Sequence, residues 1–392
     1  MKITQVRTTV VNLDVRNCIV VRVDTDEGIT GVSETVLKRN TLAVEQAILR
    51  LQSYLVGKDP TDIEDHWEKM YRDSFWVGGP MHASALSAID CALWDILGKT
   101  LQAPVHKLLG GPTRRHVPVY CHCPAGATPE EFAKNILASR ERGYRAAKTT
   151  LPVFYGSHGE GGTRYSGTNG RIPRAWKETE LLSPTVFRQI REFFVAAREA
   201  GGPEFGLAVD CHGRLNLKGA VRLCEELEGL DMMFIEEPVP PENVDVLAAV
   251  QQSTSIPIAA GERWATIHGA REFVERHAVD ILQCDVVNCG GITGMKKIAA
   301  LAEAHYIGMA PHNPNGPIAT LVNLQLAAVI PNYVILETIG SEADRKLARA
   351  LLNNEMTLEN GGLAVPTLPG HGILLNEAAL KDFPYVPHDG WR

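Results

Sequence analysis

Residues 206–237 read GLAVDCHGRLNLKGAVRLCEELEGLDMMFIEE, and the fold is decided inside this stretch. Residues 206–210 form a short apolar run ending in a carboxylate, residues 217–227 repeat apolar side chains at helical spacing, and residues 233–237 form a second apolar run ending in carboxylates. Strand, amphipathic helix and strand in that order make a βαβ unit with buried parallel strands. Outward from it the rhythm continues, with apolar runs at 117–121, 146–150, 256–262, 281–285, 309–312 and 334–337 and helical patterns such as 294–304 and 317–329 between them. Eight such strands over about 240 residues match the usual size of a closed (β/α)8 barrel.

A chain of 392 residues exceeds one hydrophobic core, so a second domain is expected. Residues 1–117 supply it. IVVRV at 19–23 runs through the turn residues DEG at 26–28 into a second apolar run, a hairpin pattern, and Ala85, Ile89, Leu93, Ile96 and Leu97 recur at helical spacing within 82–101. The expected organisation is an α+β capping domain, 1–117, completed by the tail 366–392, whose start VPTLPGHG at 365–372 is rich in Pro and Gly, around a barrel domain at 118–365. Residues 151–182 break the rhythm with repeated glycines after the second barrel strand, where a lid over the mouth is expected.

With 45% apolar and 22% charged residues and no long apolar run, the composition is that of a soluble globular protein without a membrane partner. The N-terminal MKITQVRTTVVN alternates like a strand and lacks the apolar core of a secretory signal. Eight cysteines without a C-x-x-C pair or regular spacing read as reduced thiols of a cytoplasmic protein. A net charge of −7 without a basic run disfavours nucleic acid as a partner.

Polar residues close most of the strands: Lys148, Asp210, Glu236, Glu262, Asp285, His312 and Glu337. At the C-terminal ends of barrel strands, such groups share one mouth and read as catalytic. Asp210, Glu236 and Glu262 are each 26 residues apart, about one βα unit, so three carboxylates converge from consecutive strands. Any one of them alone reads equally well as half of an ion pair. Together they raise one another's pKa unless a cation neutralises them, and oxygen-only ligands suit Mg2+, with Mn2+ as an alternative, better than zinc.

The ordered runs GLAVDCHGR, MFIEEP, PIAAGER, ILQCDVVNCGGITG, APHNPNGP and ILET, with DEGITGVSE and AIDCALWDILGK upstream, resemble the mandelate racemase subgroup of the enolase superfamily, and within it the galactonate dehydratases. The resemblance implies an α+β cap over a modified barrel, a bound Mg2+, a homo-oligomer, and proton abstraction beside a carboxylate of a small acid sugar. It implies Asp210, Glu236 and Glu262 as metal ligands, His312 as general base oriented by Asp285, and Glu337 as the group that hydrogen-bonds the intermediate, protonated or sharing a proton. His212, two residues past Asp210 and so on the same side of an extended strand, matches the histidine that protonates a departing 3-hydroxyl, giving a 2-keto-3-deoxy sugar acid.

Two features depart from that pattern. Thr150 stands where many racemases carry a second lysine, which disfavours two-base racemisation and leaves Lys148 to bind the substrate's carboxylate or hydroxyls. The glycine-rich insertion is similar to the lid of mannonate dehydratases and offers Tyr155 and Tyr165 as acid or base groups. The His312/Asp285 pair points to D-galactonate or a stereochemical relative; D-mannonate or D-gluconate dehydration is the alternative. A non-catalytic sugar-acid-binding protein is the competing class. Trp76 and the segment from Val15 to Asn17 match the cap's specificity loops, with Trp76 expected against the substrate.

Overall fold

The computed structural model describes residues 1–12, 16–152, 182–354 and 356–387. The chain opens with an antiparallel sheet of β1 (Ile3–Asn12), β2 (Asn17–Thr25) and β3 (Thr30–Thr35), followed by α1 (Thr41–Leu55), α2 (Ile63–Arg72), α3 (Pro80–Thr100) and the short α4 (Val105–Leu108). The DEG turn joins β2 to β3 in a hairpin, with Gly28 at φ 75°, a left-handed turn conformation that glycine adopts without strain. Helix α3 is apolar nearly all round because it is covered on both sides: β3 packs against one face and a barrel helix, α10 (Gly291–Ala304), against another.

The second part alternates strictly. It runs β4 (His116–His122), α5 (Pro129–Glu141), β5 (Ala146–Thr150), α6 (Pro184–Gly201), β6 (Gly206–Asp210), α7 (Leu217–Leu227), β7 (Phe234–Glu236) and α8 (Val244–Gln251). Then follow β8 (Ile258–Ala260), α9 (Thr266–Glu275), β9 (Ile281–Leu282), α10, β10 (Gly308–Met309), α11 (Pro317–Val329), β11 (Leu336–Thr338) and α12 (Glu342–Leu351). Side-chain caps start several helices: Thr128, Asn216 and Asn243 accept from backbone N–H groups of α5, α7 and α8. Strands β4 to β10 pair in parallel in chain order, β11 returns to pair with β4, and a bridge from Met309 to Tyr333 closes the ring. Among the described residues, eight parallel strands thus form a barrel, at the positions the alternation implied.

The barrel interior explains where the site lies. Tyr120, Ala146, Ala208, Phe234, Ala259, Ile281, Ala310 and Ile335, one from each strand or its edge, form a separate buried cluster. Small and large residues fill one inward layer together, Tyr120 meeting Phe234 edge to face at 5.8 Å. Because side chains alternate with a period of two, the residues two positions farther along point inward again, one layer higher. Those residues are His122, Lys148, Asp210, Glu236, Gly261, Gln283, His312 and Glu337.

Cap and barrel are joined by buried polar contacts. Asp90 on α3 accepts from Thr293 N at 3.0 Å and Glu34 on β3 accepts from Ile318 N at 3.3 Å, so the cap seats one carboxylate at the N-terminal turn of α10 and another at that of α11. Gly291 permits the first contact, since a Cβ there would stand 2.3 Å from Asp90 Oδ2. The tail also returns to the cap: Asn12 N donates to Phe383 O, Asn17 holds Val386, and buried His371 donates from its backbone to Asp95. Among the described residues no helix is long and apolar enough to cross a membrane.

Candidate active site

The upper inward layer opens into a cavity of about 760 Å3, lined from the barrel by His122, Lys148, Asp210, His212, Glu262, Asp285, His312 and Glu337 among others, and from the cap by Arg16, Val36, Leu37, Lys38 and Pro80. Glu236, 1% exposed, lies beneath its floor. Glu262 departs from the two-residue rule. Gly261, at φ 143°, takes the inward position of β8, where a Cβ would be 2.8 Å from the backbone nitrogens of Gln283 and Cys284, and the chain turns there to bring Glu262 over the mouth.

Each of the three converging carboxylates faces a nitrogen. His212 Nε2 is 2.9 Å from Asp210 Oδ2, Lys148 Nζ is 2.7 Å from Glu236 Oε2, and His312 Nε2 is 2.8 Å from Glu262 Oε2. Burial opposes ionisation of Asp210, yet His212 and Lys148 bring its carboxyl below the usual range, and His312 does the same for Glu262. Burial wins at Glu236, whose carboxyl is pushed up to about 8 despite Lys148, with Asp210 and Glu337 adding their repulsion.

Among the described residues no three His, Cys, Asp or Glu side chains are gathered tightly enough to hold an ion as they stand. The donor chemistry nevertheless fits a hard divalent cation. Asp210 and Glu236 are register partners on adjacent strands, Glu262 follows the next strand, all their donors are oxygens, and Glu236 Oε1 is buried without a hydrogen-bond partner. A cation there would take over the neutralising work now shared by three nitrogens.

His312 sits between two acids. Its Nδ1 is 2.8 Å from Asp285 Oδ2 and its Nε2 faces Glu262, so both ring nitrogens are placed to donate, an arrangement that favours the protonated imidazole. Burial works against that charge, but Glu262 and Asp285 outweigh it and hold the pKa well above the ordinary value. Asp285, fully buried, is itself fixed by Asn315 Nδ2 at 2.9 Å and Val287 N at 3.0 Å. Were Glu262 to take another positive partner, Nε2 would be freed toward the cavity, with its tautomer set by Asp285.

Several expectations change in the folded protein. Lys148 lines the cavity and is also tied to acids: at 3% exposure its ammonium lies 2.7 Å from Glu236 Oε2 and 2.8 Å from Glu337 Oε1, because the inward layer places it among carboxyls that need a counter-charge. Glu337 is surrounded by donors. Burial raises its pKa less than Lys148 and His122 lower it, and Asn313 N donates to its other oxygen at 2.8 Å. His212 does reach the mouth, but not by strand alternation: β6 stops at Asp210, and His212 turns at φ 49°. Trp76 is absent from the cavity lining; it is 84% exposed, edge-on to Phe75 in the turn before α3, and Pro80 lines the cavity instead. Arg16 also lines it, whereas Asn17 is buried against the tail. Val15, Tyr155 and Tyr165 lie outside the described residues.

Two site residues were not expected. His122 ends β4, lines the cavity and pairs through Nε2 with Glu337 Oε1, and Gln283 Nε2 donates to Glu236 Oε2 at 2.8 Å. Both lie two residues beyond an inward apolar residue, Tyr120 and Ile281, so the strand period carried the signal.

Residues 2–110 match the mandelate racemase / muconate lactonizing enzyme N-terminal domain, and residues 131–379 match the enolase C-terminal domain-like family. The chain is 35% identical over 376 residues to a D-galactonate dehydratase of Xanthomonas euvesicatoria pv. vesicatoria, spanning 95% of this chain and 92% of the relative. It is 35% identical over 389 residues to a D-xylonate dehydratase of Haloferax volcanii, spanning 97% and 88% respectively. The crystal structure of a member of the enolase superfamily from Salmonella Typhimurium superposes with a TM-score of 0.87 at 31% identity, covering 98% of both chains.

Proposed function

Because the chain belongs to the mandelate racemase / muconate lactonizing enzyme family of the enolase superfamily, we propose that it is an Mg2+-dependent acid-sugar dehydratase. It removes the C2 proton and the 3-hydroxyl of an aldonate to give a 2-keto-3-deoxy sugar acid. The observation that carries this reading is the placement of two histidines. His212 follows the third barrel strand and His312 the seventh, four strands apart in a ring of eight, so they face each other across the mouth.

His312 is the base. Its Nε2 takes the C2 proton from one face of the substrate, while Asp285, locked by Asn315, holds Nδ1–H and stabilises the charge that the ring acquires. His212 is the acid that protonates the hydroxyl leaving from the opposite face, an anti elimination. Asp210, Glu236 and Glu262 are the residues that would hold Mg2+, with Mn2+ as substitute. When bound, the ion supplies positive charge to the substrate's carboxylate, which makes the C2 proton acidic enough for an imidazole. Glu337 positions His122 and Lys148, whose N–H groups are the donors on the side of the ring opposite Glu262.

D-galactonate is the first candidate, supported by the relative of that activity and by the intact His312/Asp285 pair. A relative named for D-xylonate favours testing the pentonate beside it. Purified protein with Mg2+ is screened against D-galactonate, D-xylonate, D-mannonate, D-gluconate and the aldarates for 2-keto-3-deoxy product. Turnover of galactonate is expected. Mannonate turnover without galactonate overturns the substrate, and no turnover of any acid favours a sugar-acid-binding protein.

A further inference from the structure

We propose that Arg263 is a positioning residue that clamps the turn carrying His212, and through it controls loss of the 3-hydroxyl without controlling removal of the C2 proton. The inference rests on the reading of His212 as the acid. Past the ends of β6 and β7 the chain makes two left-handed turns at residues other than glycine, His212 at φ 49° and Glu237 at φ 39°. Side chains rarely adopt this region, so the surroundings must hold both turns.

The two turns are laced together. Cys211 N donates to Glu236 O at 2.9 Å, Gly213 N to Glu237 O at 2.7 Å, and Leu215 N to Pro238 O at 3.2 Å. His212's own N–H donates to Asp210 Oδ1 at 2.9 Å, and the bonds of its neighbours run to the end of β7 and the chain just beyond it. Its own carbonyl is bound from a third strand: Arg263, next to Glu262 at the end of β8, donates from one terminal nitrogen to His212 O at 3.1 Å. The same nitrogen is 2.8 Å from Glu237 Oε2, and Arg263 Nε is 3.5 Å from Glu262 Oε1.

Glu237 makes the clamp necessary. It is 1% exposed, and among the described residues its carboxyl oxygens make no hydrogen bond apart from the ion pair with Arg263. Without the guanidinium, the buried Glu237 carboxyl loses its ion-pair partner and the His212 carbonyl loses this donor. A planar guanidinium can serve two strands and a backbone oxygen at once, which a lysine ammonium does less well. Held in this way, His212 keeps Nε2 2.9 Å from Asp210 Oδ2 at the cavity wall, while His312, across the barrel, is oriented through Nδ1 by Asp285, itself held by Asn315, with Nε2 2.8 Å from Glu262.

The test uses the full-length enzyme with Mg2+ and its best sugar acid in D2O. Product formation and exchange of the substrate's C2 proton are measured together for wild type, Arg263→Met, Arg263→Lys and Glu237→Gln. Arg263→Met is expected to slow elimination by about tenfold or more, a fraction of what a general acid contributes, while C2 exchange changes by less than about threefold, with Arg263→Lys intermediate. A crystal structure of the Met or Lys variant, whichever folds, is expected to show the His212 turn leaving the left-handed region and its contact with Asp210 lost. Elimination and exchange falling together, or His212 unmoved in the variant, overturns the clamp. If wild type processes no sugar acid, the dehydratase reading fails, and the His212 geometry of the variant still decides the clamp by itself.

Discussion

Lys148→Met removes the one ammonium shared by two buried carboxylates. Nζ lies 2.7 Å from Glu236 Oε2, 2.8 Å from Glu337 Oε1 and 3.8 Å from Asp210 Oδ2. Breaking a buried pair by deleting one partner costs about 3–5 kcal/mol, because the surviving charge stays buried. Two partial compensations keep the loss from doubling. Glu337 retains His122 and Asn313 N, and Glu236, whose carboxyl burial already pushes up to about 8, stays neutral in the variant. The expected loss in chelator-treated protein is therefore about 3–5 kcal/mol for the whole network, read as a lower guanidinium midpoint by circular dichroism and tryptophan fluorescence. Adding Mg2+ is expected to stabilise the variant more than wild type, since the ion supplies the charge that the lysine no longer provides. A loss below about 1 kcal/mol, the range of a surface pair, or equal stabilisation of both proteins by Mg2+, refutes the reasoning.

Other expectations follow from the same geometry. Glu236→Gln, at the centre of the carboxylate set, should weaken Mg2+ binding by at least about tenfold by titration calorimetry, consistent with loss of a charged ligand. His312→Asn should lower kcat by about 10²–10⁴-fold with Mg2+ affinity retained, the loss of a general base; product assays check the first and calorimetry the second. Phe234→Ala, in the inward layer beside Tyr120, should cost about 3–5 kcal/mol in a denaturant melt. Glu34 and Asp90 are buried carboxyls pushed up to about 7 by burial. The folded state therefore binds their protons more tightly than the unfolded state, so their contribution is full below about pH 4 and is lost as pH rises through about 7. Denaturant midpoints should fall between pH 5 and 8, and the Glu34→Gln, Asp90→Asn double variant should flatten that slope; an unchanged slope counts against the burial argument.

The barrel was legible because its strands are buried on both faces and read as short apolar runs, which intervening helices separate at regular distances. The convergence of Asp210, Glu236 and Glu262 on consecutive strands followed from the same spacing. What alternation within a strand could not convey was where each strand stops. His212 reached the mouth through a left-handed turn rather than an extended strand, and Gly261 displaced Glu262 by one position from the inward series. His122 and Gln283 escaped notice because attention to charged strand ends passes over a histidine one residue beyond an apolar run and a neutral amide. Lys148 shows a different limit. A lysine at a strand end gives no sign of the ion pairs it makes across the barrel, because its partners there, Glu236 and Glu337, are 88 and 189 residues away. Trp76 misled for the opposite reason, since an aromatic residue between glycines near a helix start carries no information about which way its turn faces.

Soaking crystals with Mn2+ and collecting data at its absorption edge examines the carboxylate set directly. One anomalous peak is expected among the oxygens of Asp210, Glu236 and Glu262, with His312 Nε2 released from Glu262 and facing the cavity. No peak there after saturating soaks, or a peak elsewhere with all three nitrogen contacts intact, contradicts the account.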